Sequence, residues 1–324
     1  MYFKNKKVLI TGGTGSLGQS LVSKLRKLGS NIIIYSRDEG KQSLTYGQDK
    51  DISCSIGDVR DLERLNQTFS FFKPDYVIHA AALKRIDDME YHPDECIKTN
   101  VYGSKNVAQA SQNHGVKKCI LISTDKACQP VNVYGSSKFI AERLFSNFDY
   151  NSDSTIFSSI RYGNVIASRG SFIPLFMEWI NSGSTINVTS ESMTRFLFTL
   201  KNACHSVLDA LEKSIGGEVY VPRINSYTLP LCIKALELIT QKKAVKKVYG
   251  LRPGEKLHED MLAKTEIGFA HEDPSGGLLQ IRPQYTKKIH QDWAKYDGPE
   301  YNSSLFLRED VNELADLIRE GLKC

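Results

Sequence analysis

Residues Val8 to Leu25 read VLITGGTGSLGQSLVSKL: a β-branched run, a glycine-rich turn, then an amphipathic helix pattern. Within this stretch Gly13-x-Gly15-x-x-Gly18 satisfies the dinucleotide fingerprint. Its physics is a tight turn, close backbone approach to a pyrophosphate, and a helix amino terminus facing negative charge. Alone the pattern is weak, and a Gly-rich turn without a ligand satisfies it too. The strand before it and the helix after it supply the context the motif needs, so the stretch predicts a nicotinamide dinucleotide site opening a Rossmann-type fold.

The same rhythm continues outward. KVLIT, NIIIYS, ISCSI, DYVIHA, KCILIS and STIFSSIR read as strands, with helical patterns between them, as from Gln19 to Leu28 and from Glu95 to Asn113. Such alternation predicts an α/β protein with a doubly wound parallel sheet. From about Gly170 the pattern loosens into helices around FIPLFMEWINSG, ACHSVLDALEKS and LPLCIKALELIT, with short strands EVYVP and KKVYGL. The expected organisation is a dinucleotide-binding domain over 1–168, with a return of the chain near 198–222. A smaller carboxyl-terminal α/β substrate domain over 169–324 would pack on the carboxyl end of the sheet.

Composition narrows the class. The 324 residues are 41% hydrophobic and 24% charged, as in an ordinary globular protein able to bury a full core. No run approaches the length of a membrane span. The start MYFKNKKVLITGG passes from a basic tip straight into a strand, leaving no room for a signal peptide. The expectation is a cytoplasmic protein without a membrane partner. Seven scattered cysteines, with no C-x-x-C and no metal-ligand spacing, read as reduced thiols and predict no metal site. The net charge of +5 comes as short lysine pairs such as Lys117-Lys118 and Lys246-Lys247, not as a basic stripe. That excludes nucleic acid and suits a small anionic ligand.

Where the ribose is read, about twenty residues past the loop, stand Ser36, Arg37 and Asp38. Serine and arginine favour the additional phosphate of NADP, whereas the acidic residue would favour NAD; NADP is the expectation. GDVRD offers Asp58 and Val59 for the adenine. HAAALK places Ala80, Ala81 and Ala82 beside the nicotinamide path, although small residues there also serve close helix packing.

The stretch ISTDKACQPVNVYGSSK, Ile122 to Lys138, follows at the carboxyl end of the fifth strand, where open α/β sheets bind ligands. Tyr134 and Lys138 are four apart at a helix start and share a face. Lys138 would favour the tyrosinate, so that Tyr134 takes the proton of an alcohol while hydride leaves for the cofactor. Asp125 and Lys126 lie outside that task. A protonated carboxylic acid can donate to a leaving hydroxyl, and a neutral lysine can remove a carbon-bound proton beside a ketone, a combination that eliminates water. The plain alternative is that Asp125 caps a turn and Lys126 is solvated. Neighbours on an extended chain point apart, so elimination requires a bend here.

These pieces together resemble the soluble, inverting UDP-N-acetylglucosamine 4,6-dehydratases of the extended short-chain dehydrogenase/reductase superfamily. The resemblance rests on TGGTGSLG, YSRDEGKQ, GDVRD, HAAALKRIDDMEYHPDECIKTNV, STDKACQPVNVYGSSK, RYGNVIASRGSFIPLF, MTRFLFTL, GGEVYVPRI and LRPGEKLHE, in order over most of residues 6–260. It implies a cycle in which Tyr134 and Thr124 handle the carbon 4 hydroxyl and NADP takes and returns the hydride. Lys126 removes the carbon 5 proton, Asp125 assists loss of the carbon 6 hydroxyl, and carbon 5 is reprotonated from the opposite face. It further implies that Gly12, Thr14, Gly15, Ser16, Leu17 and Gly18 hold the cofactor phosphates. Lys84 and Asn100 line the site, Tyr162 and Asn164 support cofactor and sugar, Arg195 and Arg252 hold the diphosphate, and Glu255 belongs to the substrate-binding set. The implied substrate is UDP-N-acetylglucosamine, the product a 4-hexulose for surface glycans or nonulosonic acids of the pseudaminic type, and the assembly a homo-oligomer, a dimer or a hexamer.

Three rivals remain open. A nucleotide-sugar 4-epimerase uses Tyr134 and the cofactor but has no need of Asp125 and Lys126. The membrane-anchored retaining 4,6-dehydratases carry a long hydrophobic amino-terminal region and usually methionine in place of Tyr134. A dinucleotide-sensing regulator would bind the cofactor without catalysis, and the Tyr134–Lys138 pair argues against it.

Overall fold

The computed structural model describes residues 2–168, 170–285, 288 and 290–323. Six strands build its parallel centre: β1 (Lys7–Thr11), β2 (Asn31–Ser36), β3 (Ile52–Ile56), β4 (Tyr76–His79), β5 (Lys118–Ile122) and β6 (Ile156–Ile160). They lie in the order β3-β2-β1-β4-β5-β6, all parallel, which is the doubly wound arrangement with its crevice where the order reverses.

Both faces of the sheet's centre are covered, so β1, β2 and β4 are apolar on both sides, whereas the edge strand β3 keeps exposed positions. Val8 and Ile10 of β1, with Ile32 and Ile34 of β2, pack under Leu21 and Leu25 of the first helix and under Val207 and Leu211 of the helix Leu200–Lys213. Leu9, Ile33 and Val77 point the other way, against Leu65, Phe69, Val107 and Phe145. The period-two alternation of the strand sequences thus becomes two cores.

The chain returns to this sheet. Val219–Pro222 runs parallel to β6, followed by the antiparallel strands Leu278–Ile281, Ala270–Glu272 and Ala294–Lys295, giving ten strands among the described residues. The last three strands were not foreseen. Their signal was the turn sequence Asp273-Pro274-Ser275-Gly276-Gly277, in which Gly276 takes a φ of 69°.

A separate cluster lies beyond β6. Ile173, Phe176 and Ile180 of the helix Phe172–Ser182 meet Cys232, Ile233 and Leu236 of Leu229–Thr240 and Leu314 and Ile318 of Val311–Leu322. The run read as KKVYGL forms the strand Val245–Val248, paired in parallel with Thr185–Val188. The run Glu95–Asn113 is helical, yet Ile97–Tyr102 within it winds as a π-helix. Among the described residues no helix is long and apolar enough to cross a membrane.

Candidate active site

The glycine loop joins β1 to the helix Ser16–Lys27. No side chain caps that helix, and Gly15 stands at its amino terminus. The end of the helix is thus left for an anionic group. A Cβ on Gly18 would lie 2.5 Å from the Cα and carbonyl oxygen of Gly13, so only glycine lets helix and loop pack this closely. These features fit the pyrophosphate of a dinucleotide, with Gly12, Thr14, Gly15, Ser16, Leu17 and Gly18 forming the loop.

At the end of β2, Gln42 Nε2 donates to the carbonyl and hydroxyl oxygens of Ser36 at 3.0 and 2.9 Å. Asp38 is spent elsewhere: its carboxylate accepts from Lys41 N at 2.9 Å and pairs with Lys41 Nζ at 2.9 Å, capping the helix Glu39–Tyr46. Arg37 is exposed and stands 3.7 Å from Asp58, whose carboxylate is held mainly by Arg60 at 2.7 Å. Val59 is buried beside it, and Ala80 and Ala81 are half-buried at the end of β4. Ala82 and Lys84 follow on the exposed continuation of that strand.

Asn100 does not face a ligand through its amide. It is fully buried, and its side chain accepts from Leu83 N at 2.8 Å and donates to Leu83 O at 2.8 Å and Ser137 Oγ at 3.0 Å. It sits in the π-helical segment, where the extra residue per turn re-aims it. Asn100 therefore acts on the site by tying the strand after Ala82 to the helix that carries Tyr134 and Lys138.

The catalytic stretch bends as elimination requires. Asp125–Ala127 forms a 3-10 turn, fixed by Asp125 N donating to Tyr162 O at 3.1 Å. The turn brings the neighbours Asp125 and Lys126 face to face, with Nζ 3.0 Å from Oδ1. Thr124 Oγ donates to the same Oδ1 at 2.8 Å. Asp125 also accepts from Lys126 N at 3.0 Å, so the plain capping role is present as well. Asn132 caps the helix Val133–Tyr150 and donates to Gly254 O at 2.9 Å, joining that helix to the loop of LRPGEK. A Cβ on Gly135 would lie 2.2 Å from Lys126 O, so glycine at this position lets the helix start meet the catalytic turn.

The electrostatics correct one expectation. Lys126 is not set up as a neutral amine. Burial works against its charge, but Asp125 and Glu259, the latter 3.3 Å away, outweigh burial and hold it well above the ordinary lysine range. Burial pushes the Tyr134 phenol up to about 12, and the opposing attraction comes from Lys126 and the Thr124 hydroxyl. Burial lowers Lys138 itself to about 8, against the pull of Glu142. Its ammonium has no hydrogen bond or ion pair among the described residues, which leaves its donors to a ligand.

Glu259 was overlooked, although it closes the quoted LRPGEKLHE. It is 2% exposed and lies between Lys126 and Arg195, whose Nε is 3.8 Å away. Arg195 is turned inward: its guanidinium donates to Thr194 O at 2.8 Å, Leu257 O at 3.2 Å and Lys256 O at 3.1 Å. The structure therefore gives it a bracing role for the 256–259 segment in place of the expected open diphosphate clamp. Arg252, more than half exposed, pairs with Asp87 at 3.1 Å and Glu255 at 3.3 Å and stands at the open end of the same charge chain. Tyr162 and Asn164 lie half-buried after β6, and Asn164 Oδ1 has no hydrogen-bond partner among the described residues.

Comparison with known proteins agrees with this geometry. The family described as "Polysaccharide biosynthesis protein" matches residues 8–275. An inverting UDP-N-acetylglucosamine 4,6-dehydratase of Campylobacter jejuni is 43% identical, over 83% of this chain and 81% of its own. A protein of Rickettsia massiliae named UDP-glucose 4-epimerase is 39% identical over 99% of both chains. The X-ray structure of Pen from Bacillus thuringiensis superposes over all of both chains with a TM-score of 0.92 at 34% identity. Having the doubly wound sheet, the glycine loop and this breadth of match, the chain belongs to the polysaccharide biosynthesis protein family, within which it is similar to the inverting 4,6-dehydratases.

Proposed function

We propose that this protein is a lyase that removes water across carbons 5 and 6 of UDP-N-acetylglucosamine with inversion at carbon 5. The observation that carries the reading is the buried Asp125–Lys126 pair, 3.0 Å apart at the carboxyl end of β5 and within reach of Tyr134. The nicotinamide cofactor, when bound, accepts hydride from carbon 4 and returns it to carbon 6.

The residues divide the remaining work. Tyr134, with Thr124 beside it, takes the proton of the carbon 4 hydroxyl, and Lys138 stands four residues further along the same helix. The resting Asp125–Lys126 pair carries one proton, on the lysine. Its transfer over 3.0 Å to Asp125 yields a neutral amine and a carboxylic acid together without changing the charge of the site. The amine then takes the carbon 5 proton and the acid protonates the leaving hydroxyl, which restores the ion pair. An isolated neutral lysine is therefore unnecessary.

The finer points follow the same reading. NADP is favoured over NAD because Asp38 is committed to its helix cap while Ser36 and Arg37 stand at the strand end. Residues 1–168 with the return near 198–222 hold the dinucleotide, and 169–324 hold mainly the nucleotide sugar, with Lys84 lining the site, Arg252 at the diphosphate and Glu255 orienting Arg252 at 3.3 Å. The enzyme is a cytoplasmic homo-oligomer whose product feeds surface glycan or nonulosonic acid synthesis.

The full-length match to proteins named UDP-glucose 4-epimerase favours a second reading, epimerisation at carbon 4. It uses Tyr134 but leaves Asp125, Lys126 and Glu259 without a task. Mass spectrometry of the nucleotide sugars after incubation with UDP-N-acetylglucosamine, and separately with UDP-glucose, separates the two. Loss of one water supports dehydration; an unchanged mass with a new 4-epimer overturns it.

A further inference from the structure

We propose that Glu259 is a positioning residue for this reaction: with Asp125 it holds the Lys126 amine between two carboxylates, and its charge governs how readily the pair releases and regains its shared proton. The inference rests on the dehydration reading and extends it to a residue from a distant part of the chain.

Glu259 reaches Lys126 Nζ at 3.3 Å, so that the amine contacts both this carboxylate and that of Asp125. Its backbone is pinned on both flanks, since Glu259 N donates to Ser303 Oγ at 2.8 Å and Ser303 N donates to Glu259 O at 2.8 Å. Ser303 Oγ in turn lies 2.6 Å from Thr194 Oγ on the strand Thr194–Phe198. The carboxylate is thus carried into the site by a fixed frame, not by a surface chain. One of its oxygens, Oε2, is buried without a hydrogen-bond partner among the described residues, as is Oδ2 of Asp125. Burying an anion oxygen unpaired costs free energy, which a purely structural glutamate would avoid by a different packing.

The charged groups facing this lysine are Asp125, Glu259 and Arg195, with the Tyr134 phenol across the site. The flanking residues of Glu259 are engaged elsewhere: His258 Nδ1 with Thr194 Oγ at 2.8 Å, Asp260 with Lys256 at 3.1 Å. When the C5–H bond breaks, its electron pair forms the carbon 5 to carbon 6 double bond, and the C6–O bond breaks as the Asp125 proton goes to the departing hydroxyl. Positive charge then develops on Lys126, and the fixed Glu259 anion stabilises it.

A fixed anion 3.3 Å from the Lys126 amine favours the protonated forms of the site around it. Replacing the Glu259 charge by a neutral amide therefore moves the acid limb of the activity profile to lower pH. The test is the pH profile of product formation from UDP-N-acetylglucosamine by Glu259→Gln, with NADP supplied. The expected result is a fall in kcat of about ten-fold or more, an unchanged KM, and the acid limb moved towards lower pH by about one pH unit or more. Glu259→Asp, which keeps the charge on a shorter arm, is expected to show a smaller shift of the same sign, and it serves alone if the glutamine variant does not fold. A reduced rate with an unmoved profile in the variant that folds makes Glu259 merely structural and overturns the proposal. If the wild-type protein forms no dehydrated product, the dehydration reading fails and the proposal falls with it; a wild type that dehydrates beside an unshifted variant sinks the proposal alone.

Discussion

Asp125 and Lys126 are consecutive in the chain, yet their side chains meet at 3.0 Å because a 3-10 turn folds the backbone between β5 and the Tyr134 helix. On an extended strand they would point to opposite faces. The turn brings two adjacent residues into one ion pair, which the proposed elimination uses, and Tyr134 stands on the next helix.

Replacing the acid of this unit gives the sharpest functional contrast. Asp125→Asn removes the group that protonates the leaving hydroxyl, a loss of about 100-fold or more in dehydration. Binding of UDP-N-acetylglucosamine, read by calorimetry, stays near the wild-type value. Undiminished dehydration would exclude the assigned role.

Cofactor choice follows from the end of β2. On the proposed NADP reading Arg37→Ala removes the guanidinium that meets the 2′-phosphate, and a charge-assisted hydrogen bond of about 1.5–3 kcal/mol corresponds to about ten-fold or more in NADP affinity. NAD affinity should stay level. Equal loss for both dinucleotides, measured by fluorescence titration, would place Arg37 outside 2′-phosphate recognition.

Stability rests heavily on Arg161. It is fully buried and forked between Glu142, at 3.0 and 2.9 Å, and Glu266, at 2.8 and 2.9 Å. Arg161→Met leaves two carboxylates facing each other and should cost about 3–5 kcal/mol in urea denaturation. Arg161→Lys should recover only part, since an ammonium cannot match both forks.

His79 makes the fold sensitive to acid. It bridges Thr11 Oγ at 2.7 Å and Ser104 Oγ at 3.0 Å, and burial, reinforced by the Lys138 charge, drives its pKa down to about 3. The unfolded chain takes up this proton near pH 6.5 and the folded chain only near pH 3, so stability is complete above that window and falls as the pH drops through it. The slope from one such group approaches about 1.4 kcal/mol per pH unit. His79→Gln should flatten the pH dependence of urea denaturation between these limits by up to that amount; parallel curves would contradict the assignment.

Most of the nucleotide half was legible because its signals are local. β1 to β6 are short β-branched runs, and the glycine loop stands between a strand and a helix, so pattern and position agree. The elements missed depend on distant partners. The π-helical turn that re-aims Asn100 leaves no mark in a periodic apolar pattern, and the edge strands from Ala270 to Lys295 are short and antiparallel. In the site, Asp125, Lys126, Tyr134 and Lys138 lie within one stretch and could be read together. Glu259 stands 133 positions from Lys126 and is brought there only by its Ser303 and Thr194 frame. The protonation of Lys126 was misread for the same reason, because one of the two carboxylates that fix it is remote in sequence.

The most direct test is proton NMR of the purified protein with UDP-N-acetylglucosamine and catalytic NADP in heavy water. The account predicts a new 6-methyl signal, deuterium at carbon 5, and couplings in the first product that show inversion there. Return of the sugar as its 4-epimer with a protonated carbon 5, or no reaction, would contradict the elimination assigned to Asp125 and Lys126.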